Sequence, residues 1–456
     1  MASLTQNVLK VRTAGSLEMS NRSASAAFLA SAWCLPAAVL AGYLTDKAGY
    51  WRGLGAHAMV LGSPALVLLA RVVLWGWALA FLLSEASLPV LCAAAVIVDL
   101  ALLRFTVPSL PIDAGFLALE ILTVVLCLIP AQLFARWTRE QKHLAARNVL
   151  HFLFHAGLLL GVWPLLIVQC LGGDWTAWAS RSSMLNKLYL QLLFIPGVLL
   201  LTGMQEFYQS GRGTPMPADA PQRLVTTGVY AYVANPMQIG KFGVLAGWGL
   251  FWRNPWIIAA SFAGLFYSLS LARWREDRDM RKRFGAAWLL YRQNVRRCLP
   301  RWRPWVPPRE IRSVDDSAFP VHATLYLDFR CGTCSQLVRW FLAQRPAGLR
   351  IRALEDHPTR MLSRITYTAG RGHSEEEGIA AIARALDHIH VGWAFCGWML
   401  RLPLVREVSQ LIADAVSVSP APACAMRKTA HNKPFDRPEH LCKPANASVF
   451  LEAKAK

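Results

Sequence analysis

Long apolar runs constrain this 456-residue chain more than any other feature. Eight of them, at 26–44, 58–83, 88–103, 114–135, 149–171, 187–204, 238–252 and 255–272, approach or exceed the roughly 20 apolar residues that a membrane-crossing helix needs. The third and seventh are short. The last two are parted only by Arg253 and Asn254 before Pro255, which implies a tight helical hairpin that dips into or spans the bilayer. In lipid the backbone must satisfy its own polar groups, so a chain patterned this way reads as a multi-span α-helical membrane protein of about eight helices. A polar leader, 1–25, holds Lys10, Arg12 and Arg22. The run behind it is long enough to span and lacks a small-residue cleavage site, so it reads as a resident helix rather than a cleaved signal.

The formal net charge is +20. The bases flank the apolar runs, and no basic-aromatic module of the nucleic-acid-binding kinds occurs, so the expected partner is the lipid bilayer and not nucleic acid. Arg136, Arg139, Lys142 and Arg147 fill the loop after the fourth run, and a dense series from Arg273 to Arg303 follows the eighth. Four spans separate the two regions, so both face one side. The positive-inside rule makes that side cytoplasmic, together with the N-terminus and everything after residue 303. Arg71, Asp99 and Glu120 lie inside apolar runs, where charge is costly. They either pair with one another or serve a function.

One stretch breaks the pattern. Leu224 to Gly240 reads LVTTGVYAYVANPMQIG and is interrupted by Gly228 and Pro236. Non-helical backbone at membrane depth is tolerated where protein or a cavity satisfies it. Beyond the hairpin stands RWREDRDMRKRFGAAWLLYRQN, and the hairpin returns it to the same side. The two pieces together resemble the isoprenylcysteine carboxyl methyltransferase and phospholipid methyltransferase family of integral membrane enzymes. The first half of the family pattern matches at Leu224, Val225, Gly228, Tyr230, Tyr232, Asn235, Pro236, Met237 and Gly240. The second half appears as Arg275, Glu276, Asp277, Phe284, Gly285 and Tyr291, with Trp288 at the place of the first of the family's paired tyrosines.

The resemblance covers about 187–305, behind N-terminal transmembrane helices at 26–186. It implies S-adenosylmethionine as cofactor and a lipophilic or membrane-embedded methyl acceptor. It also implies a cofactor site drawn from Gly228, Tyr230, Tyr232, Asn235, Pro236, Gly240, Glu276, Asp277 and Tyr291. Glu276 would accept from the α-amino group or the ribose, Asn235 would donate to the carboxylate, and the tyrosines would pack on adenine or bond through their hydroxyls. Departures occur at Ala234, Gln238 and Trp288. Asn235 stands where the family often has histidine, and an amide cannot act as a titrating base. Structural readings stand beside these roles. The tyrosines also suit an interfacial belt, Glu276 and Asp277 also balance nearby arginines, and Gly240 also suits close helix packing.

After Pro304, Pro307 and Pro308 the character changes, across a linker at 306–320. VHATLYLD alternates as a strand does, FRCGTCSQLVRWFLAQR enters a helix, LRIRALE is a second strand, and RITYT with HSEEE forms a hairpin. Further helices are expected from Gly378 to about His390 and from Val405 to about Val416. Strand, CxxC, helix, strand, helix, hairpin, helix is a thioredoxin-like α/β order. Cys331 would sit at a helix N-terminus, where the dipole favours the thiolate, with Cys334 one turn on. A zinc half-site is the alternative, but no second cysteine pair accompanies it, so no metal is expected.

Asp328, Cys331 and Cys334 form D-x-x-C-x-x-C, which resembles the DCC-type thiol-disulfide oxidoreductase family over about 321–416, with Phe329 in place of the usual glycine. These three are the candidate catalytic residues of that domain, with a thiol or disulfide as partner. Asp328 would handle protons or cap the turn. A flexible tail is expected at 417–456. The combined expectation is a membrane methyltransferase fused to a cytoplasmic redox domain. The alternatives are a membrane-anchored oxidoreductase with a degenerate methyltransferase pocket, and a non-enzymatic transporter or scaffold.

Overall fold

The computed structural model describes residues 22–40, 69–83, 85–106, 114–174, 176–216, 219–308, 323–369 and 375–417. Most of the leader, residues 58–68 of the second apolar run, most of the linker and the tail from 418 lie outside the described residues. The chain divides into two compact units, 1–410 and 411–456.

Each of the eight apolar runs contains a helix. They are α1 (Arg22–Leu40) and α2 (Leu69–Leu82), α3 (Leu88–Thr106), α4 (114–139), α5 (Leu144–Leu171) and α6 (Ser183–Gln209), α7 (Pro236–Phe251) and α8 (Pro255–Leu269). Among the described residues five helices are long and apolar enough to cross a membrane: α1, Glu120–Arg139 of α4, α5, α6, and α8 continued through α9 (Leu271–Asn294). Of the others, α2 and the apolar stretch Leu88–Ala101 of α3 are shorter. With 16 residues, α7 extends only about 24 Å, below the ~30 Å hydrocarbon core.

The three intramembrane charges meet. Arg71 lies 2.7 Å from Asp99 and 2.6 Å from Glu120, tying α2, α3 and α4 together. Of the two readings open from sequence, the geometry shows pairing.

The expected hairpin joins α7 to α8. The Asn254 side chain accepts from Trp256 N at 2.9 Å and from Ile257 N at 3.1 Å, and Pro255 occupies the first turn. Both features start a helix abruptly, because the cap satisfies orphan amides and proline needs no donor there. On its other side α7 meets α6 through glycines at helical spacing. A Cβ on Gly240 would fall 2.8 Å from Leu200 N and from Pro196 O, and one on Gly243 would fall 2.6 Å from the Pro196 ring. Glycine there lets the two backbones approach.

The C-terminal part is a four-stranded mixed sheet in the order β2-β1-β3-β4. Strand β1 (Ala323–Leu327) runs parallel to β2 (Leu349–Ala353), with Leu325 opposite Ile351. It runs antiparallel to β3 (Thr366–Thr368), which pairs with β4 (Glu376–Glu377). Helices α10 (Gly332–Ala343) and α11 (Ile379–Leu386) cover it, and Leu325, Leu327, Phe341, Ala381 and Ala385 form its core.

Two elements differ from the sequence expectation. Between β2 and β3 stands a single 3-10 turn, Leu354–Asp356, in place of a helix. After α11 an unexpected helix appears, α12 (Val391–Leu400), ahead of α13 (Val405–Ser417). VGWAFCGWML is apolar all round, so it shows no amphipathic period. The structure explains why: Ala394 and Trp398 of α12 join one buried cluster with Val198, Val229, Tyr230 and Tyr232 of the membrane core.

Candidate functional site

The broken stretch folds as a 3-10 turn, Gly228–Ala231, followed by a bend into α7. Gly228 has φ +58°, and a Cβ there would fall 2.3 Å from Glu206 Oε1. Only glycine meets both demands. The turn is stitched to the segment after α9 by backbone bonds. Ala234 N donates to Arg296 O at 2.9 Å, Asn235 N to Arg297 O at 3.1 Å, Arg301 N to Tyr232 O at 2.9 Å, and Trp305 N to Ala231 O at 2.8 Å. In α9, Gly285 has φ +52° and ψ −124° and divides the helix. This kink turns Trp288 and Tyr291 inward, where they pack with Leu224, Ala234 and Trp305.

This framework brings Asn235, Glu276 and Asp277 together. Arg297 Nη1 lies 2.7 Å from Glu276 Oε2 and Arg297 Nη2 lies 3.2 Å from Asp277 Oδ1. With its amide oriented so that the oxygen faces Arg297, Asn235 accepts from Arg297 Nη1 at 3.0 Å and donates to Ala234 O at 2.8 Å. Arg292 approaches Asp277 at 3.8 Å. The guanidinium of Arg297 is 8% exposed, whereas the carboxylates of Glu276 and Asp277 are 37% and 24% exposed. The result is a polar patch of two accessible carboxylates beside two guanidiniums.

The other candidate residues build the frame. Tyr230 stacks on Phe207 and directs its hydroxyl to Gly203 O at 3.4 Å. Tyr291 donates to Tyr230 O at 2.8 Å. Tyr232 donates to Asp387 O at 2.9 Å, with its ring against Trp398. Pro236 opens α7, and Gly240 faces α6. Sequence reasoning missed Arg297. It stands in a basic run that signals topology, and its place in the chain gives no hint of the two backbone bonds that aim it.

Behind the turn lies a buried ionic cluster that joins the membrane core to the sheet domain. Glu206 of α6 pairs with Arg384 of α11 and, at 2.9 Å, with Arg401. Arg384 also reaches Glu376 at 2.8 Å, and Arg401 reaches Asp387 at 3.3 Å. Glu206 further accepts from Ser210 Oγ at 3.1 Å and Thr227 Oγ1 at 3.4 Å, so it braces the turn from below. Burial lifts the Asp387 carboxyl to about 6, despite the two guanidiniums that Glu206 also engages. Burial lowers the neighbouring His388 imidazole to about 4.

At the far end of β1, Cys331 is the N-cap of α10 and Cys334 lies in its first turn. Burial, and then the hydrogen bond with Cys331, push the Cys334 thiol up to about 11. Asp328 Oδ1 accepts from Arg330 N at 2.9 Å, the geometry of a turn cap. Ala323, at the opposite end of the strand, lines a crevice shared with Gly228 and Ala231. The length of β1, about 16 Å, therefore separates the cysteine turn from the membrane core. Among the described residues no group of three or more His, Cys, Asp or Glu side chains is placed to hold a metal.

No curated protein and no solved structure matches the chain. A family model described as phospholipid methyltransferase matches residues 192–287, a stretch that contains the first half of the broken motif, the hairpin, and the second half as far as Gly285. The core of this helical membrane protein is thus similar to a membrane methyltransferase family.

Proposed function

We propose that the 187–305 core transfers a methyl group from S-adenosylmethionine to a lipophilic acceptor that reaches it from the bilayer. The observation that carries this reading is the convergence of Asn235, Glu276 and Asp277 with Arg297 across the hairpin, inside or next to the matched stretch. The donor set fits the cofactor. A zwitterionic amino acid tail needs an acceptor for its ammonium and donors for its carboxylate. Glu276 and Asp277 supply the first, and Arg297 and Arg292 the second. The cofactor brings an already activated sulfonium methyl, so the protein's share of the work is alignment and exclusion of water. Asn235 holds Arg297 in line and takes no proton. Tyr230, Tyr232 and Tyr291 fix the turn that presents Asn235.

The sheet domain is read as a thioredoxin-like thiol-disulfide oxidoreductase. Its strand order and the position of Cys331 at a helix N-terminus support this. With Cys334 held as a thiol near neutral pH, Cys331 is the attacking group. Both basic regions then face the cytoplasm.

Membranes carrying the protein, incubated with radiolabelled S-adenosylmethionine, should yield a labelled lipid-phase product. Glu276→Gln should abolish the label, and an unchanged rate would refute the cofactor site. Cys331→Ser should abolish disulfide exchange and leave methylation intact, because the cysteine turn is remote from the core.

A further inference from the structure

A second cavity lies between α5, α7 and α8, and the site described above does not use it. Its volume is about 430 Å³, within the ~300–1,000 Å³ range of small-molecule sites. Leu159, Trp163 and Leu245 supply apolar walls, and Gln238, Lys241 and Ser261 supply the polar atoms. Ser261 Oγ is already bonded to Ile258 O at 2.6 Å.

Lys241 is the unusual member. It lies five residues beyond Pro236, about 7.5 Å along α7. Among the described residues it has no hydrogen-bond or ion-pair partner. Its charge bears on His151 and His155, which are themselves basic and bring no negative charge. A lysine inside a membrane bundle is expensive and ordinarily finds a carboxylate. The Arg71 triad in this same chain shows that solution; Lys241 does not.

We propose that this cavity binds a single-chain membrane amphiphile through one carboxylate paired with Lys241. Lys241 is the one ionisable side chain in the cavity lining, and it calls for one negative charge. A phosphomonoester would bring a second charge with nothing to meet it. The apolar walls suit one alkyl chain, and the cavity is too small for a two-chain phospholipid. The pair forms whichever partner carries the proton beforehand, since amine plus carboxylic acid and ammonium plus carboxylate reach the same ion pair. The proposal concerns occupancy of the cavity and is independent of methyl transfer.

The test uses the full chain in nanodiscs, without methyl donor, and cis-parinaric acid as a fluorescent probe beside its methyl ester. The acid should bind about tenfold more tightly than the ester. Lys241→Met should reduce acid binding to the level of the ester while ester binding stays unchanged, which also shows that the cavity is intact. Lys241→Arg should keep the preference. Equal binding of acid and ester to the unaltered protein would overturn the proposal and leave an unspecific lipid groove. So would wild-type affinity for the acid in Lys241→Met. A hexadecyl phosphate that binds more tightly than hexadecanoic acid would overturn the carboxylate assignment. A hexadecylammonium probe that matches the acid would overturn the charge argument.

Discussion

Arg297 is positioned by its backbone and acts through its side chain. Its carbonyl accepts from Asn235 N, and that bond survives any substitution of the guanidinium. Arg297→Gln should therefore fold normally and lose the cradle that holds Glu276 and Asp277. A hydrogen bond to a charged group contributes about 1.5–3 kcal/mol. Glu276 is 37% exposed, so the low end of that range applies. Calorimetry in detergent should show S-adenosylmethionine binding weakened about tenfold; unchanged binding would place the cofactor elsewhere. Gly228 makes the opposite case. Gly228→Ala meets both a left-handed backbone, costing roughly 1–2 kcal/mol, and the Glu206 carboxylate at 2.3 Å. A lower melting temperature should accompany lost methylation. The motif letters at these positions were legible in the sequence. That Gly228 answers to Glu206, and Asn235 to Arg297, was not, because both partners lie outside the motif.

At the scale of elements, α7 is a short helix clamped between α6 and α8. Gly240 lets it approach α6, and Asn254 fixes the turn into α8. Gly240→Val would push a branched side chain into Leu200 and Pro196 and should cost about 1–3 kcal/mol by overpacking. Asn254→Ala removes a cap from two amides and should cost about 1 kcal/mol. Thermal unfolding should rank the two, with Gly240→Val the more damaging. Gly240→Val should also slow methyl transfer, since Asn235 is the N-cap of α7. Asn254→Ala sits at the other end of the helix and should not. Equal losses of activity would mean that the hairpin moves as a unit.

Within residues 1–410, the membrane core and the sheet domain are joined by the cluster around Glu206. Breaking a buried pair by removing one partner costs about 3–5 kcal/mol, because the remaining charge is left uncompensated. Glu206→Gln removes the carboxylate that Arg384 and Arg401 share and leaves them only Glu376 and Asp387, so its melting temperature should fall more than that of any surface ion-pair variant, such as Glu407→Gln. The same region sets a pH response. The folded Asp387 carboxyl is raised to about 6, so the folded state binds more protons than the unfolded state between pH 4 and 6, and stability falls as pH rises. The folded His388 imidazole is lowered to about 4, so the unfolded state binds more protons between pH 4 and 6.5, and stability rises with pH. The two slopes oppose each other. The two contributions partly cancel in the intact protein, so His388→Gln should lose stability relative to it as pH climbs from 4 to 6. A pH profile of His388→Gln that parallels that of the intact protein would overturn this assignment.

The sequence by itself determined the membrane class, the eight helical runs, the hairpin at Asn254 and Pro255, and the sheet built around β1. Each follows from local physics: apolar length, capping, and strand alternation. It also placed Asn235, Glu276 and Asp277 together, because a short hairpin leaves few ways to arrange its two ends. Only the tertiary structure decided the rest. Helix α12 is apolar all round, and an apolar helix does not reveal which neighbour covers it. Tyr232 and Tyr230 carry hydroxyls suited to a cofactor, yet their nearest acceptors are carbonyls of Asp387 and Gly203. Glu206, Arg384 and Arg401 are spread over nearly 200 positions. Their pairing depends on how the sheet domain docks onto the core, and no periodicity or spacing records that.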